Sequence, residues 1–332
     1  MMQSREQYRC DQFKINDELT SLACEKIFFD EDTARGACAY SRAISVLNPI
    51  ADAMHVVQGP LECVTCATYA WNARGSISSQ PMLHGKQDKI FFDNFGLSAQ
   101  AMQDLAAACK PQAIFVYSTC MTETMGCDIS EVCESAAKNL RIPVIPVGSM
   151  GFQAETGYEA ACNALLRLIG SRSYKPISPY SVNILGDYNI AGDLWPIRSY
   201  FEELGIEVIS TITGDSRVAE IQRAHCADLS LVQCSSSIGS LARRLEEKYG
   251  IPCRSVSFLG IEETSSALRT AAEFFENPGI IEESERMIAR ETKRICRKIE
   301  HYRAKFAGKR AAIFLNGASK AASLIRASNE LG

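Results

Sequence analysis

Short, almost continuously apolar runs alternate with amphipathic helical stretches along most of this 332-residue chain. No other feature constrains its fold as much. The runs are Ala113–Tyr117, Val144–Val147, Val182–Leu185, Glu207–Ile212, Leu229–Gln233, Ser255–Leu259 and Ala311–Leu315. A strand with one face in water alternates apolar and polar residues, whereas a run apolar at nearly every position fits a parallel sheet covered on both faces. Between the runs, the pattern predicts helices over Ser130–Leu140, Leu194–Leu204, Ile238–Tyr249 and Ser265–Phe275. Three of the helices end in related punctuation, Leu140-Arg-Ile-Pro143, Leu204-Gly-Ile206 and Tyr249-Gly-Ile-Pro252, and each stop leads within a few residues into a strand. The expected fold class is therefore α/β, with repeated Rossmann-like, doubly wound parallel sheets and right-handed crossovers.

The punctuation also predicts domains. Polar residues from Gly170 to Pro179 read as a linker, which places an N-terminal α/β domain over 1–172. A second Rossmann-like domain, 173–307, ends in one long helix, Ile281–Phe306, with Ile288, Ile295, Ile299, Tyr302 and Phe306 on a single stripe. Residues 308–332 then begin a strand, a turn and a helix. One such unit cannot bury its own faces, so it reads as the start of a truncated third domain.

Hydrophobic residues make up 46% of the chain and charged residues 22%, which is ordinary for a packed protein and argues against disorder. A net charge of −4 and the lack of a basic run give no nucleic-acid surface. The polar start, Met1 to Tyr8, predicts no signal peptide, and no apolar stretch of about 18 residues is available to span a membrane. A cytoplasmic protein is expected.

For such a protein, 14 cysteines are many. A large chain with a full core and no export signal does not need disulfides, so the question is which thiols are ligands. Cys162, in the apolar helical run Ala160–Ile169, and Cys296 read as small buried hydrophobes. Three other segments share one design, a cysteine in a turn-like stretch bordered by Gly, Ser or Thr: Arg35-Gly-Ala-Cys38-Ala-Tyr-Ser41, Gly59-Pro-Leu-Glu-Cys63-Val-Thr-Cys66, and Tyr117-Ser-Thr-Cys120-Met-Thr. An iron–sulfur cluster takes soft thiolates, commonly four, and loops at strand ends can bring such ligands together. Spacing alone leaves burial in the core open for each of them.

Cys63-x-x-Cys66 by itself is also half of a zinc site or a redox pair, but no second pair completes a zinc ribbon, and the motif follows Gly-Pro in what reads as a loop. Cys234 closes the run Leu229–Gln233 just before a helix, at the strand end where α/β folds bind ligands; a small residue filling a tight turn is the alternative. The stretch Gly186-Asp-Tyr-Asn-Ile-Ala-Gly192 lacks dinucleotide-turn spacing, and neither a P-loop, an HExxH nor a GxSxG motif is present.

Taken in order, further stretches make the chain resemble the nitrogenase component 1 family from about Gly36 onward. They include Pro49-Ile-Ala-Asp-Ala-Met-His55, Trp71-Asn-Ala-Arg-Gly-Ser76, Phe115-Val-Tyr-Ser-Thr-Cys120, Ile177-Ser-Pro-Tyr-Ser-Val-Asn-Ile-Leu-Gly186, Asn189-Ile-Ala-Gly-Asp-Leu-Trp195, Val232-Gln-Cys234 and Glu246-Glu-Lys-Tyr-Gly-Ile-Pro252. The likeness is greatest to the family's cofactor-assembly scaffold branch.

The resemblance implies that Cys38, Cys120 and one of Cys63 and Cys66 bind a [4Fe–4S] cluster shared with a partner subunit. Cys63 keeps the family's distance from Gly59-Pro60, and Cys66 keeps it from Trp71. Cys234 matches the cysteine that faces the iron–molybdenum cofactor (FeMo-cofactor) or its precursor. Cys127 replaces an expected polar residue and is an extra thiol. The implied partners are a homologous NifN-type subunit, in a heterotetramer, and an ATP-dependent iron protein reductase. The implied work is to hold an Fe–S precursor during maturation. A catalytic subunit of a nitrogenase-like oxidoreductase is the alternative, and a degenerate paralogue that binds nothing is a third reading.

Overall fold

The computed structural model describes residues 38–65, 90–93, 98–148, 157–190, 192–310, 312–313 and 321–331. Two four-stranded sheets, parallel throughout, organise them. The chain enters through α1 (Ala39–Leu47), then β1 (Ala53–Gln58), β2 (Ile90–Asp93), α2 (Ala99–Cys109), β3 (Ala113–Ser118), α3 (Cys120–Thr124), α4 (Ser130–Leu140), β4 (Val144–Val147) and α5 (Gly157–Leu168). The first sheet has the order β2-β1-β3-β4. The second half runs β5 (Ser181–Asp187), α6 (Leu194–Glu203), β6 (Glu207–Thr213), α7 (Val218–Gln222), β7 (Leu229–Val232), α8 (Ser235–Tyr249), β8 (Cys253–Ser255), α9 (Ile261–Phe274), α10 (Pro278–Phe306) and α11 (Ala321–Glu330). Its sheet repeats the pattern, β6-β5-β7-β8.

Continuous apolarity has the cause expected of it. Along β3, Phe115 and Tyr117 enter one core cluster while Ile114 and Val116 enter another, so every residue of the strand is buried. The outer cluster is closed by Met102 and Ala106 of α2 and by Cys133 and Ala136 of α4. The inner one is shared by both sheets: residues of α1, α5 and α8 pack there with Leu185, Ile212 and Val232 of the second sheet. On that sheet's far side, Val182, Ile184, Leu229 and Leu231 meet Phe201, Leu268 and Met287 from α6, α9 and α10. Each large apolar side chain so buried contributes about 1.5–3 kcal/mol, and truncating the fully buried Phe115 to Ala would cost about 3–5 kcal/mol.

The three punctuated helix ends share one device. Arg141 (φ 56°), Gly205 (φ 72°) and Gly250 (φ 71°) are left-handed, which turns the chain out of the helix and toward the next strand. The long helix starts earlier than its apolar stripe suggested, because Pro278 takes the first position and Asn277 caps it, Oδ1 accepting from Gly279 N at 2.8 Å. Its stripe stays buried at Ile288, but Tyr302 and Phe306 are exposed.

Several expectations change. The run Ser255–Leu259 pairs instead over Cys253–Ser255, and Phe258 leaves the sheet to pack edge-on against Phe201. Ala311–Leu315 falls mostly outside the described residues, and Ala312 and Ile313 are not in a strand. Cys162 is buried as expected, whereas Cys296 is half-exposed on α10. The linker stretch carries no helix or strand and is pinned by Glu207, which accepts from Tyr174 Oη and Ile177 N, each at 2.5 Å. Among the described residues no helix is long and apolar enough to cross a membrane.

Candidate functional site

In the first sheet the chain leaves β1 toward one edge and β3 toward the other. Such a reversal of strand order opens a crevice beyond the strands' carboxyl ends. Gln58 and Ser118 are register partners, so both strands end at one level and both following segments meet there. After β1, Gly59-Pro60 leads into a helical turn over 61–65 that carries Cys63, where the sequence read a loop. After β3, Thr119 caps α3 and Cys120 is the helix's first residue: Thr119 N donates to Thr122 Oγ1 at 2.8 Å, and Thr122 N to Thr119 Oγ1 at 3.5 Å. The two segments touch. A Cβ on Gly59 would lie 2.4 Å from Thr119 Oγ1, and at φ 153° that residue's backbone already favours glycine.

The third segment arrives from the start of α1. Cys38 is its N-cap, with Sγ accepting from Ser41 N at 3.4 Å. Two residues on, the Tyr40 ring packs edge-on against Tyr117 of β3, centroids 5.6 Å apart. Burial raises the Tyr40 pKa above its ordinary value, and Cys63 and then Cys38 raise it further, so both thiols act electrostatically on this phenol. The segments carrying Cys38, Cys63 and Cys120 thus meet at one end of the first sheet, Cys38 as a helix cap and the other two within the first turn of a helical segment rather than in a free turn. Cys38 and Cys120 are exposed and Cys63 is half-buried. Exposed Leu61, Met121 and Met125 lie beside them in sequence. Cys66 lies outside the described residues.

Three thiols are donors of the kind a soft metal centre takes. Among the described residues, no three His, Cys, Asp or Glu side chains close on a single metal position. Zinc would draw its sulfurs to about 2.3 Å from one point, whereas a four-iron cube spreads its thiolates over separate irons. Among the described residues nothing bonds the buried Tyr40 hydroxyl. Cys127, half-buried, lines a cavity with Ser118, Glu123, Asp128 and Arg167.

Cys234 occupies the equivalent crevice of the second sheet, between the ends of β5 and β7, as the N-cap of α8. Gly186, at φ 81°, makes room for it: a Cβ there would stand 2.8 Å from Cys234 N. The half-exposed thiol lies 3.3 Å from Ser236 Oγ. Tyr188, whose pKa is raised by burial and then by Cys234, donates to Ser237 Oγ at 2.5 Å. Two further polar groups were not legible in the sequence. Asn189 Oδ1 accepts from Leu194 N at 3.1 Å, while among the described residues its buried Nδ2 and the buried Gln233 Oε1 have no partner. A donor and an acceptor thus stand unused in the two segments that form this crevice, which fits a bound cofactor precursor.

Residues 38–332 match the family described as nitrogenase component 1 type oxidoreductase. The nitrogenase iron-molybdenum cofactor biosynthesis protein NifE of Clostridium pasteurianum is 39% identical over 319 residues, 93% of this chain and 69% of that protein. NifE of Methanosarcina barkeri is 39% identical over 330 residues, 94% of this chain and 71% of that protein. Among solved structures, nitrogenase Cp1 at pH 5 superposes with a TM-score of 0.77 at 30% identity, covering 90% of this chain and 63% of that one.

Proposed function

The chain belongs to the nitrogenase component 1 family, and from that premise we propose that it is a NifE-like scaffold subunit for FeMo-cofactor biosynthesis. Cys38, Cys120 and either Cys63 or Cys66 hold a [4Fe–4S] cluster at the first crevice, and a homologous NifN-type subunit supplies the remaining coordination. Cys234 faces the Fe–S precursor at the second crevice. An ATP-dependent iron protein docks on the pair and delivers electrons.

One observation carries this reading: three cysteines remote in sequence converge where two central strands end. Soft thiolates suit iron, and the helix starts beside them leave backbone N–H groups free to donate to sulfur. Exposed Leu61, Met121 and Met125 give the same end of the sheet an apolar surface of the kind a partner subunit covers. The bound cluster supplies one-electron chemistry. The chain orients the ligands and, through Tyr40 and Tyr117, walls the cluster off from the inner core.

The test is anaerobic purification of the complex with its partner subunit. Brown iron–sulfur absorbance is expected, and a colourless, iron-free complex after reconstitution would refute ligation. For the scaffold role, deleting the gene should abolish molybdenum-dependent nitrogenase activity, and adding mature cofactor to the extract should restore it. Failure of that rescue would favour the catalytic nitrogenase-like oxidoreductase.

A further inference from the structure

Away from both crevices, we propose that Cys226 is a modification site: its thiol, paired with the His225 imidazole, takes up a reversible mixed disulfide from a small-molecule disulfide. The pair occupies the 3₁₀ turn Ala224–Cys226, which leads into β7, whereas Cys234 follows that strand at its other end. Cys226 N donates to Arg223 O at 2.9 Å and closes the turn. Cys226 Sγ then stands 3.5 Å from His225 Nε2. Both residues are half-buried, so the sulfur is sheltered but within reach of a small reagent.

Neighbours fix the imidazole for this task. Its ring packs beside Tyr249, centroids 5.5 Å apart, and Tyr249 Oη donates to Ile169 O at 3.2 Å. Gly170 leaves room for that phenol, since a Cβ there would stand 2.5 Å from Tyr249 Oη. Among the described residues nothing bonds the buried His225 Nδ1, and the thiol is the ring's one hydrogen-bond partner. Cys253 makes the contrast. It too is half-buried, but its Sγ donates to Glu246 Oε2 at 3.8 Å, and burial and then that carboxylate raise its pKa. An imidazole accepts a thiol's proton, where a carboxylate repels the thiolate. Cys226 Sγ–H passes its proton to His225 Nε2, and the thiolate forms a bond to one sulfur of the reagent. The reagent's S–S bond breaks, and its other sulfur leaves with the electron pair and takes the proton from His225. Cys226 is oxidised to the mixed disulfide, the other half of the reagent is reduced to a thiol, and added thiol reverses the exchange.

The experiment treats the anaerobically purified complex with glutathione disulfide and follows each cysteine by peptide mass mapping. Cys226 should gain its adduct about 10-fold faster than Cys253, and dithiothreitol should remove it. His225→Gln, which keeps a polar side chain of similar reach, should bring Cys226 down to the Cys253 rate and leave Cys253 itself unmoved. Equal rates at the two thiols in the wild type overturn the proposal, as does an unchanged Cys226 rate in His225→Gln. Should that variant not fold, wild-type protein in urea replaces it: the advantage of Cys226 should disappear, and an advantage that survives unfolding overturns the proposal. None of these outcomes depends on iron, because neither thiol is among the proposed cluster ligands.

Discussion

The two crevices share a topology and differ in nearly everything placed on it. In each, a glycine at the end of one central strand lets the segment after the other strand approach within contact distance, Gly59 toward Thr119 and Gly186 toward Cys234. The first crevice then collects three thiols from three segments and leaves two of them exposed beside apolar side chains. The second holds one thiol and two amide side chains, each with one buried atom that has no partner among the described residues. Strand order decides where a site forms, and the loops decide what it binds. On the proposed reading, the first would be completed from outside the chain and the second would enclose a guest.

That division is most exposed to failure at the thiols. Cys120→Ala should abolish the iron–sulfur absorbance of the complex, whereas Cys234→Ala should retain it and lose only the ability to keep a cofactor precursor through gel filtration. Iron analysis of both variants checks this, and equal loss in the two would erase the distinction between the crevices.

Next in size are the glycines. Gly186→Ala forces a side chain onto the Cys234 backbone at a left-handed φ and should lower stability by about 1–3 kcal/mol in urea unfolding. Gly59→Ala pushes on the Thr119 side chain that caps α3, so it should depress iron loading as well as stability. Normal loading in a destabilised Gly59→Ala would mean that the cap does not position Cys120.

A third comparison sets buried thiols against those at the crevice. Burial pushes the Cys133 thiol up to about 12 and the Cys162 thiol up to about 11. For Cys162 the rise from 9.0 means about 100-fold less thiolate near neutral pH. In iron-free protein, iodoacetamide should label Cys38 and Cys120 readily and both buried residues only after unfolding, as peptide mass mapping would report.

The smallest effect is expected where the two halves join. Glu207 is penalised by burial, but bonds from Tyr174 Oη, Ile177 N and Ser178 N outweigh this and hold its carboxyl below the ordinary value. A carboxylate pKa lowered on folding contributes stability above its unfolded value and loses it as pH falls through the lower folded one. Glu207→Gln should therefore cost about 1 kcal/mol at neutral pH, less for its partial exposure, and flatten the acid limb of the stability profile. An unchanged acid limb would mean that the stretch from Gly170 to Pro179 is held by other contacts.

The strands most readable in advance were those with no polar residue to interrupt them. β1 was missed because Ala53-Met-His-Val-Val-Gln58 carries a histidine and a glutamine, and both turn out to be buried, His55 against Tyr117. The last strand was displaced by Val256 and Phe258, whose apolarity serves a loop packed into the core with α6 and α9 rather than a ladder. Hydropathy reports burial, and an edge strand and a packed loop bury similar side chains.

By itself, the order of residues determined that parallel sheets would form, roughly where helices would stop, and which family motifs the chain carries, because each of these depends on neighbours a few positions apart. Only the tertiary structure decided that the segments carrying Cys38, Cys63 and Cys120 share one sheet end and that each of these cysteines sits at or near the start of a helical segment. Those facts depend on strand order and register, which join residues about 20 to 80 positions apart through pairings that no local pattern encodes.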